Sequence, residues 1–369
     1  MSTERLPPQP KRLVGYFPSW GIHAHNYHVG DIPADRLSHV IYAFADVSKN
    51  GTCVSINEND DKINFSQLAQ LKRQHPKLQT LISVGGASHS ANFPDAVSTS
   101  ATRQLFARSC VQFMQLNGFD GIDIDWEYPA AADANNFTAL LMELRSELDT
   151  LSATDRRSYM LTIAAPAGVS HNSNLQLNLI HRNLDWINLM AYDFAVASSK
   201  VTDFVAPLKP YDLLVAKHAA SNVDATVQAY LTRGVPAGKL VLGTRFIGTG
   251  WLGAANTNSG LYQNNEGPAK GTWDAVGKPT GSFGYQDLEQ NYIRNGSRFW
   301  HPDAEVPWVF DPTTGIMISY EDPQSLRLKA GYAMEQGLAG VMIWELSADD
   351  RRHTLLESLA DLLGLATGL

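Results

Sequence analysis

GFDGIDIDWEYP, residues 118–129, alternates apolar and acidic side chains at period two from Ile122 to Glu127. On a β-strand, residues i, i+2 and i+4 point the same way. Asp123, Asp125 and Glu127 therefore form one row, with Ile122, Ile124 and Trp126 on the opposite face. A solvated charge run has no need of the interleaved apolar residues. A plain core strand would not carry three carboxyl groups where valines usually stand. Carboxylates this close cannot all ionise; at least one proton is shared, and the group titrates as a coupled set. Such an arrangement is tolerated where chemistry uses it.

Outward from this segment, seven more β-rich runs appear: RLVGYF (12–17), SHVIYAFADV (38–47), QTLISVGG (79–86), YMLTIAAPA (159–167), WINLMAYD (186–193), LVLGTRF (240–246) and GVMIWEL (340–346). The acidic run itself covers 121–127. Amphipathic segments lie between most of them, such as NNFTALLMELRSELDTL, with Phe137, Leu140, Leu141, Leu144 and Leu148 on one stripe. Eight strand–helix alternations predict an α/β chain closed into a (β/α)8 TIM barrel, with a doubly wound open sheet as the alternative. In a barrel the acidic row points inward, and its last member emerges at the C-terminal rim, where active sites lie.

The rhythm breaks from about Trp251 to Ser319, a stretch rich in Gly, Asn, Trp and Tyr that contains GSFGYQDL and GIMISY. So long a loop inside a compact barrel should have structure of its own. The expected organisation is a barrel over 11–250 and 319–365, a small inserted α+β domain over 251–318 between the seventh and eighth strands, and an N-terminal tail over 1–10.

The 369 residues, 44% hydrophobic and 18% charged, are ample for a sizeable core. A net charge of −8 provides no electrostatic footprint for nucleic acid or an anionic membrane, and suits a neutral or cationic ligand. No run approaches the ~20 apolar residues of a membrane span. The opening MSTERLPPQPKR shows no signal-peptide core, so the expectation is a secreted protein without its leader, or a cytosolic one. Two cysteines are too few for a disulfide framework, and Cys110, inside a helical pattern, reads as a buried free thiol.

Two motifs are decoys. GTGWLG (248–253) fits GxGxxG but runs into AANTNSG, which is no helix start, so a dinucleotide site is rejected. His23, His25 and His28 in HAHNYH lack a partnering Cys or carboxylate pattern and read as a solvated loop rather than a metal site. No metal and no cofactor are expected.

Geometry narrows the chemistry. Ordinary glycosidases place two carboxyl groups across the scissile bond. Neighbours in a strand-face row stand only about 7 Å apart, on one side of any bound sugar. That offers an acid beside a helper and no nucleophile opposite, so another group, such as one belonging to the substrate, would have to attack.

The residues also carry a resemblance. DGIDIDWE, with Asp120, Asp123, Asp125 and Glu127, resembles the DxxDxDxE signature of family 18 glycoside hydrolases. SVGG (Ser83–Gly86) is similar to that family's SxGG, MAYD (Met190–Asp193) to its MxYD, and WELS (Trp344–Ser347) to its eighth-strand Trp-Glu. The order is the family's, and the interrupting segment resembles its chitinase insertion domain.

The resemblance implies a retaining chitinase that cleaves β-1,4 bonds between N-acetylglucosamine units through an oxazolinium intermediate. Glu127 would be the acid, Asp125 the group orienting the 2-acetamido N–H, and Asp123 a proton holder supported by Tyr16 and Ser83. Tyr192 and Asp193 would complete the acetamido pocket. Phe44, Gly86, Tyr128, Met190 and Trp344 would join Tyr16 and Ser83 in binding sugar, with Trp344 as the floor. Read from the residues alone, Trp20, Phe44, Trp251 and Trp308 are candidates for either cleft or core.

The implied partner is chitin or its oligosaccharides, and the chain would act as a monomer. An endo-β-N-acetylglucosaminidase acting on N-glycan cores and a non-catalytic lectin are the alternatives; such lectins have the acid replaced, and here Glu127 is present. Two departures concern the leaving side. Ala87 stands where family members often have Trp, and Arg245–Thr249 replaces a common Pro-Phe-Tyr-Gly-Arg sequence.

Overall fold

The computed structural model describes residues 11–212, 214–293 and 298–364. The expected tail over 1–10 and the barrel's expected last residue, 365, lie outside them. Eight strands form the central layer: β1 (Arg12–Pro18), β2 (His39–Val47), β3 (Gln79–Gly85), β4 (Gly121–Asp125), β5 (Met160–Pro166), β6 (Trp186–Met190), β7 (Leu240–Arg245) and β8 (Gly340–Trp344). Each pairs in parallel with the next. β8 returns to β1 in the register Arg12↔Gly340, which closes the ring. The fold is a (β/α)8 TIM barrel, and the open sheet is excluded.

Helices form the outer layer, among them α1 (Glu58–Gln74), α2 (Ser100–Leu116), α3 (Ala134–Asp155), α4 (Val223–Thr232), α5 (Pro323–Glu335) and α6 (Thr354–Leu362). Side-chain caps fix several starts: Asn57 accepts from the amides of Asn59 and Asp60, and Asp322 from those of Gln324 and Ser325. No helix among the described residues is long and apolar enough to cross a membrane.

The period-two alternation sorts β4 between two cores. Ile122, Ile124 and Trp126 join the layer between strands and helices, where Trp126 stacks on Phe93 at 5.0 Å and meets Phe137 edge-on at 5.7 Å. The barrel interior is a separate cluster that includes Val14, Ile41, Leu81, Trp186 and Val241. Asp123 and Asp125 point into that interior and are buried. The ladder ends at the Gly85↔Asp125 pair. β4 is thus two residues shorter than expected, and Glu127 continues the row from the loop beyond it.

Glycine at positions 85 and 86 is a steric requirement. Both have positive φ, +111° and +85°. A Cβ would stand 2.2 Å from the Asp125 carbonyl oxygen at position 85 and 2.7 Å from the Phe44 ring at position 86. Only glycine lets β3, Phe44 and the end of β4 approach so closely.

The interrupted stretch folds as a small α+β unit between β7 and β8. Its antiparallel sheet places 248–252 at the centre, flanked by 267–268 and 282–283 on one side and by 316–319, 306–311 and 298–301 on the other. GTGWLG forms the first of these strands. Trp251 and Trp308 lie in this sheet's own core with Phe310 and Met317, so neither lines a cleft.

Candidate active site

Asp123 sits at the bottom of the row, fully buried and surrounded by donors. Tyr16 from β1 and Ser83 from β3 donate to Oδ2, each at 2.8 Å. Thr162 from β5 donates to Oδ1 at 2.6 Å, and Asn188 from β6 does so at 3.2 Å. Asn188 is held in turn by the Trp186 indole N–H at 2.8 Å. Burial pushes the Asp123 carboxyl above the usual range, while the four hydrogen bonds pull it back. Burial and the neighbouring Asp123 keep the Tyr16 hydroxyl protonated well beyond its ordinary range, so it serves as a donor.

Asp125, one step up the same face, differs. Its Oδ1 is buried without a hydrogen-bond partner. Burial, then the charges of Glu127 and Asp123, push this carboxyl far above its ordinary value. Its backbone is nevertheless anchored: the carbonyl accepts the Gly86 amide at 2.7 Å. The Ser90 hydroxyl lies 3.3 Å from that carbonyl and accepts the Glu127 amide at 2.9 Å.

Glu127 is half-buried at the rim. Burial raises its pKa and the charge of Asp193 adds to the rise, while hydrogen bonds from Tyr128 and the Ala87 amide oppose it. Such a carboxyl keeps its proton to a higher pH than a free glutamate, as a general acid requires. Asp193, whose φ is +59°, forms an ion pair with Arg245 at 3.1 Å. Arg245 also donates to Thr249 Oγ1 at 2.5 Å, so two of the departures at and beyond the end of β7 help hold Asp193.

Asp125, Glu127 and Asp193 are the carboxyl groups lining a cleft of about 510 Å³, together with Tyr16, Tyr128, Tyr192 and Trp344. Trp344, at the end of β8, is braced by Tyr16 edge-on at 5.6 Å and by Phe44 at 5.9 Å. Trp20 is 40% exposed and extends this aromatic group, 6.1 Å from Phe44 and 6.2 Å from Trp344. Met190 and Met342 supply apolar lining. Tyr128 stacks on His171 at 4.5 Å, and both line the cleft, as does Ala87. Ser83 and Gly86 stand behind the surface, the first on Asp123 and the second against Phe44. No group of three or more metal-ligating side chains converges among the described residues.

Sequence reasoning missed Thr162, Asn188 and Ser90. The signal for the first two was present: each is a polar residue at an inward-facing position of an apolar strand. Ser90 carries no pattern, because a loop brings it to the row.

A closed barrel with an acidic row beneath an aromatic cleft is a glycoside-hydrolase architecture. Residues 12–349 match the family described as Glycosyl hydrolases family 18. The chain is 38% identical to Chitinase A1 of Niallia circulans, over 95% of its own length and 58% of that protein's. Its fold superposes on the solved structure of Chitinase ChiA74 from Bacillus thuringiensis with a TM-score of 0.92 and 34% identity, covering 98% of this chain and 71% of that one. It also matches a family 18 N-acetylglucosaminidase from Paenibacillus barengoltzii, with a TM-score of 0.82, 32% identity, and coverage of 95% and 99%. The chain belongs to family 18 of the glycosyl hydrolases.

Proposed function

We propose that the protein is a retaining chitinase that hydrolyses β-1,4 bonds of chitin and N-acetylglucosamine oligosaccharides with help from the substrate's own acetamido group. The observation that carries this reading is Asp125 Oδ1, a buried oxygen with no hydrogen-bond partner, held between a fully bonded Asp123 and Glu127, whose carboxyl pKa is raised by burial. An acetamido N–H supplies the missing donor, and its carbonyl oxygen then faces C1.

Glu127 gives its proton to the glycosidic oxygen as the C1–O bond breaks. The acetamido oxygen bonds C1 from the opposite face, forming a cyclic oxazolinium ion. Asp125 accepts the hydrogen bond from the ring N–H and balances its charge. Water then adds to C1, Glu127 takes the water's proton, and the ring opens with the original configuration restored. The other cleft carboxyl, Asp193, is paired with Arg245, which argues against a protein nucleophile. Tyr192 and Asp193 close the acetamido pocket, and Trp344 carries the sugar face.

The second sheet, inserted between β7 and β8, acts as the chitinase insertion domain. A polymeric substrate too large to enter cells fits a secreted, monomeric enzyme.

The test is incubation with the N-acetylglucosamine hexamer, products followed by mass spectrometry, with Glu127→Gln alongside. Dimer and shorter oligomers, absent in the variant, are expected. An intact hexamer with the unaltered protein would sink the reading. Release of monomer alone would favour the second reading, an N-acetylglucosaminidase like the Paenibacillus relative.

A further inference from the structure

The histidines read as a solvated loop are separated by the fold. His23 and His28 are exposed, but the His25 side chain is only 9% exposed. It comes from the loop after β1 and fills the space between the end of β8 and the inserted domain. His25 Nδ1 stands 2.5 Å from Ser347 Oγ and 3.5 Å from Glu345 Oε1. The Ser347 hydroxyl reaches both Glu345 oxygens, at 2.8 and 2.9 Å. The imidazole ring stacks on Trp273 of the inserted domain, with centroids 3.8 Å apart and planes 26° apart.

Glu345 directly follows the platform residue Trp344 and is 1% exposed. It does not line the cleft, so its carboxyl does not meet sugar there. Buried polar groups of this kind cost stability unless hydrogen-bonded. His25, Ser347 and Trp273 border a second, polar cavity of about 980 Å³, which shares no lining residue with the cleft. Without His25, water from that cavity would reach Glu345 and offer it other partners. The carboxylate would then turn toward them, and the peptide shared with Trp344 would turn with it.

We propose that His25 is a positioning residue for the sugar platform. Through Ser347 and Glu345 it fixes the strand end that carries Trp344, and through Trp273 it couples that strand end to the inserted domain. The proposal rests on the reading of Trp344 as the platform. A platform contacts sugar in ground and transition state alike, so its loss weakens binding more than turnover.

The test uses the full chain with His25→Ala, Glu345→Gln and the two combined. Hexamer binding is followed by tryptophan fluorescence in the Glu127→Gln background, and kcat and KM are measured with Glu127 intact. His25→Ala is expected to raise the dissociation constant and KM about tenfold, with kcat changed by less than about threefold. Adding Glu345→Gln removes the buried carboxylate and should restore most of the lost affinity.

Unchanged affinity in His25→Ala, or a double variant no better than the single, would overturn the proposal. If His25→Ala does not fold, His25→Asn, which keeps a donor near the Nδ1 position, is read by the same affinities. Failure of the unaltered protein to cleave the hexamer would sink the hydrolytic reading alone, because the binding arm still decides on His25. Failure of every variant to bind would overturn both.

Discussion

Asp123 and Asp125 lie two residues apart on the same face of β4, and their surroundings are opposite. Asp123 accepts four hydrogen bonds from β1, β3, β5 and β6. Asp125 leaves a buried oxygen without any. The first is built into the barrel, and its donors hold one arrangement of four strands. In the proposed mechanism, the substrate's acetamido N–H supplies the partner that this second carboxyl lacks. One strand face thus passes from a fully bonded carboxyl to an unpartnered one within two residues, and Glu127 continues it to the rim.

Glu127→Gln, which removes the proposed proton donor, should lower kcat by about 10³–10⁴-fold with the fold intact. Asp123→Ala strands four buried donors and should destabilise the protein by about 3–5 kcal/mol, read by urea unfolding. Asp125→Asn should lower kcat by about a hundredfold while leaving Tm unchanged or raised, because a destabilised buried carboxyl is removed. A loss of stability as large as that of Asp123→Ala would erase the distinction between the two residues.

Asp193→Asn tests the rim electrostatics. The Asp193 charge raises the Glu127 pKa, so its removal should lower that pKa and let the acid deprotonate earlier as pH rises. The alkaline limb of kcat/KM should therefore move to lower pH, by less than about one unit. The smallest effect is expected at Ala87, which lines the cleft as Tyr128 and His171 do. Ala87→Trp should lower KM for long oligomers by about threefold to tenfold, through added ring stacking. An unchanged KM would mean that the wall already binds sugar without it.

Much of this was legible before the fold was known, because local rules carry it. The alternation in GIDIDWE follows from strand geometry, and eight recurrences of strand and helix imply a closed barrel. The same rules stop short where the chain leaves regular structure. Residues 121–127 read as one strand, yet the ladder ends at Asp125 because β3 turns away at its two glycines. The four tryptophan and phenylalanine candidates divided evenly: Trp20 and Phe44 reach Trp344, while Trp251 and Trp308 fill the inserted core. Nothing local distinguishes them, since an aromatic ring suits a core as well as a cleft.

Period, spacing and residue type are local properties, so the architecture, the inward acidic row and its three carboxyl groups can be read from the residues alone. Which carboxyl is satisfied and which is left open follows from the folded arrangement. Thr162, Asn188, Ser90 and His25 are brought to their partners from strands and loops distant in sequence. Hydrogen bonding and burial depend on where separate segments meet, and the closing of the barrel determines that.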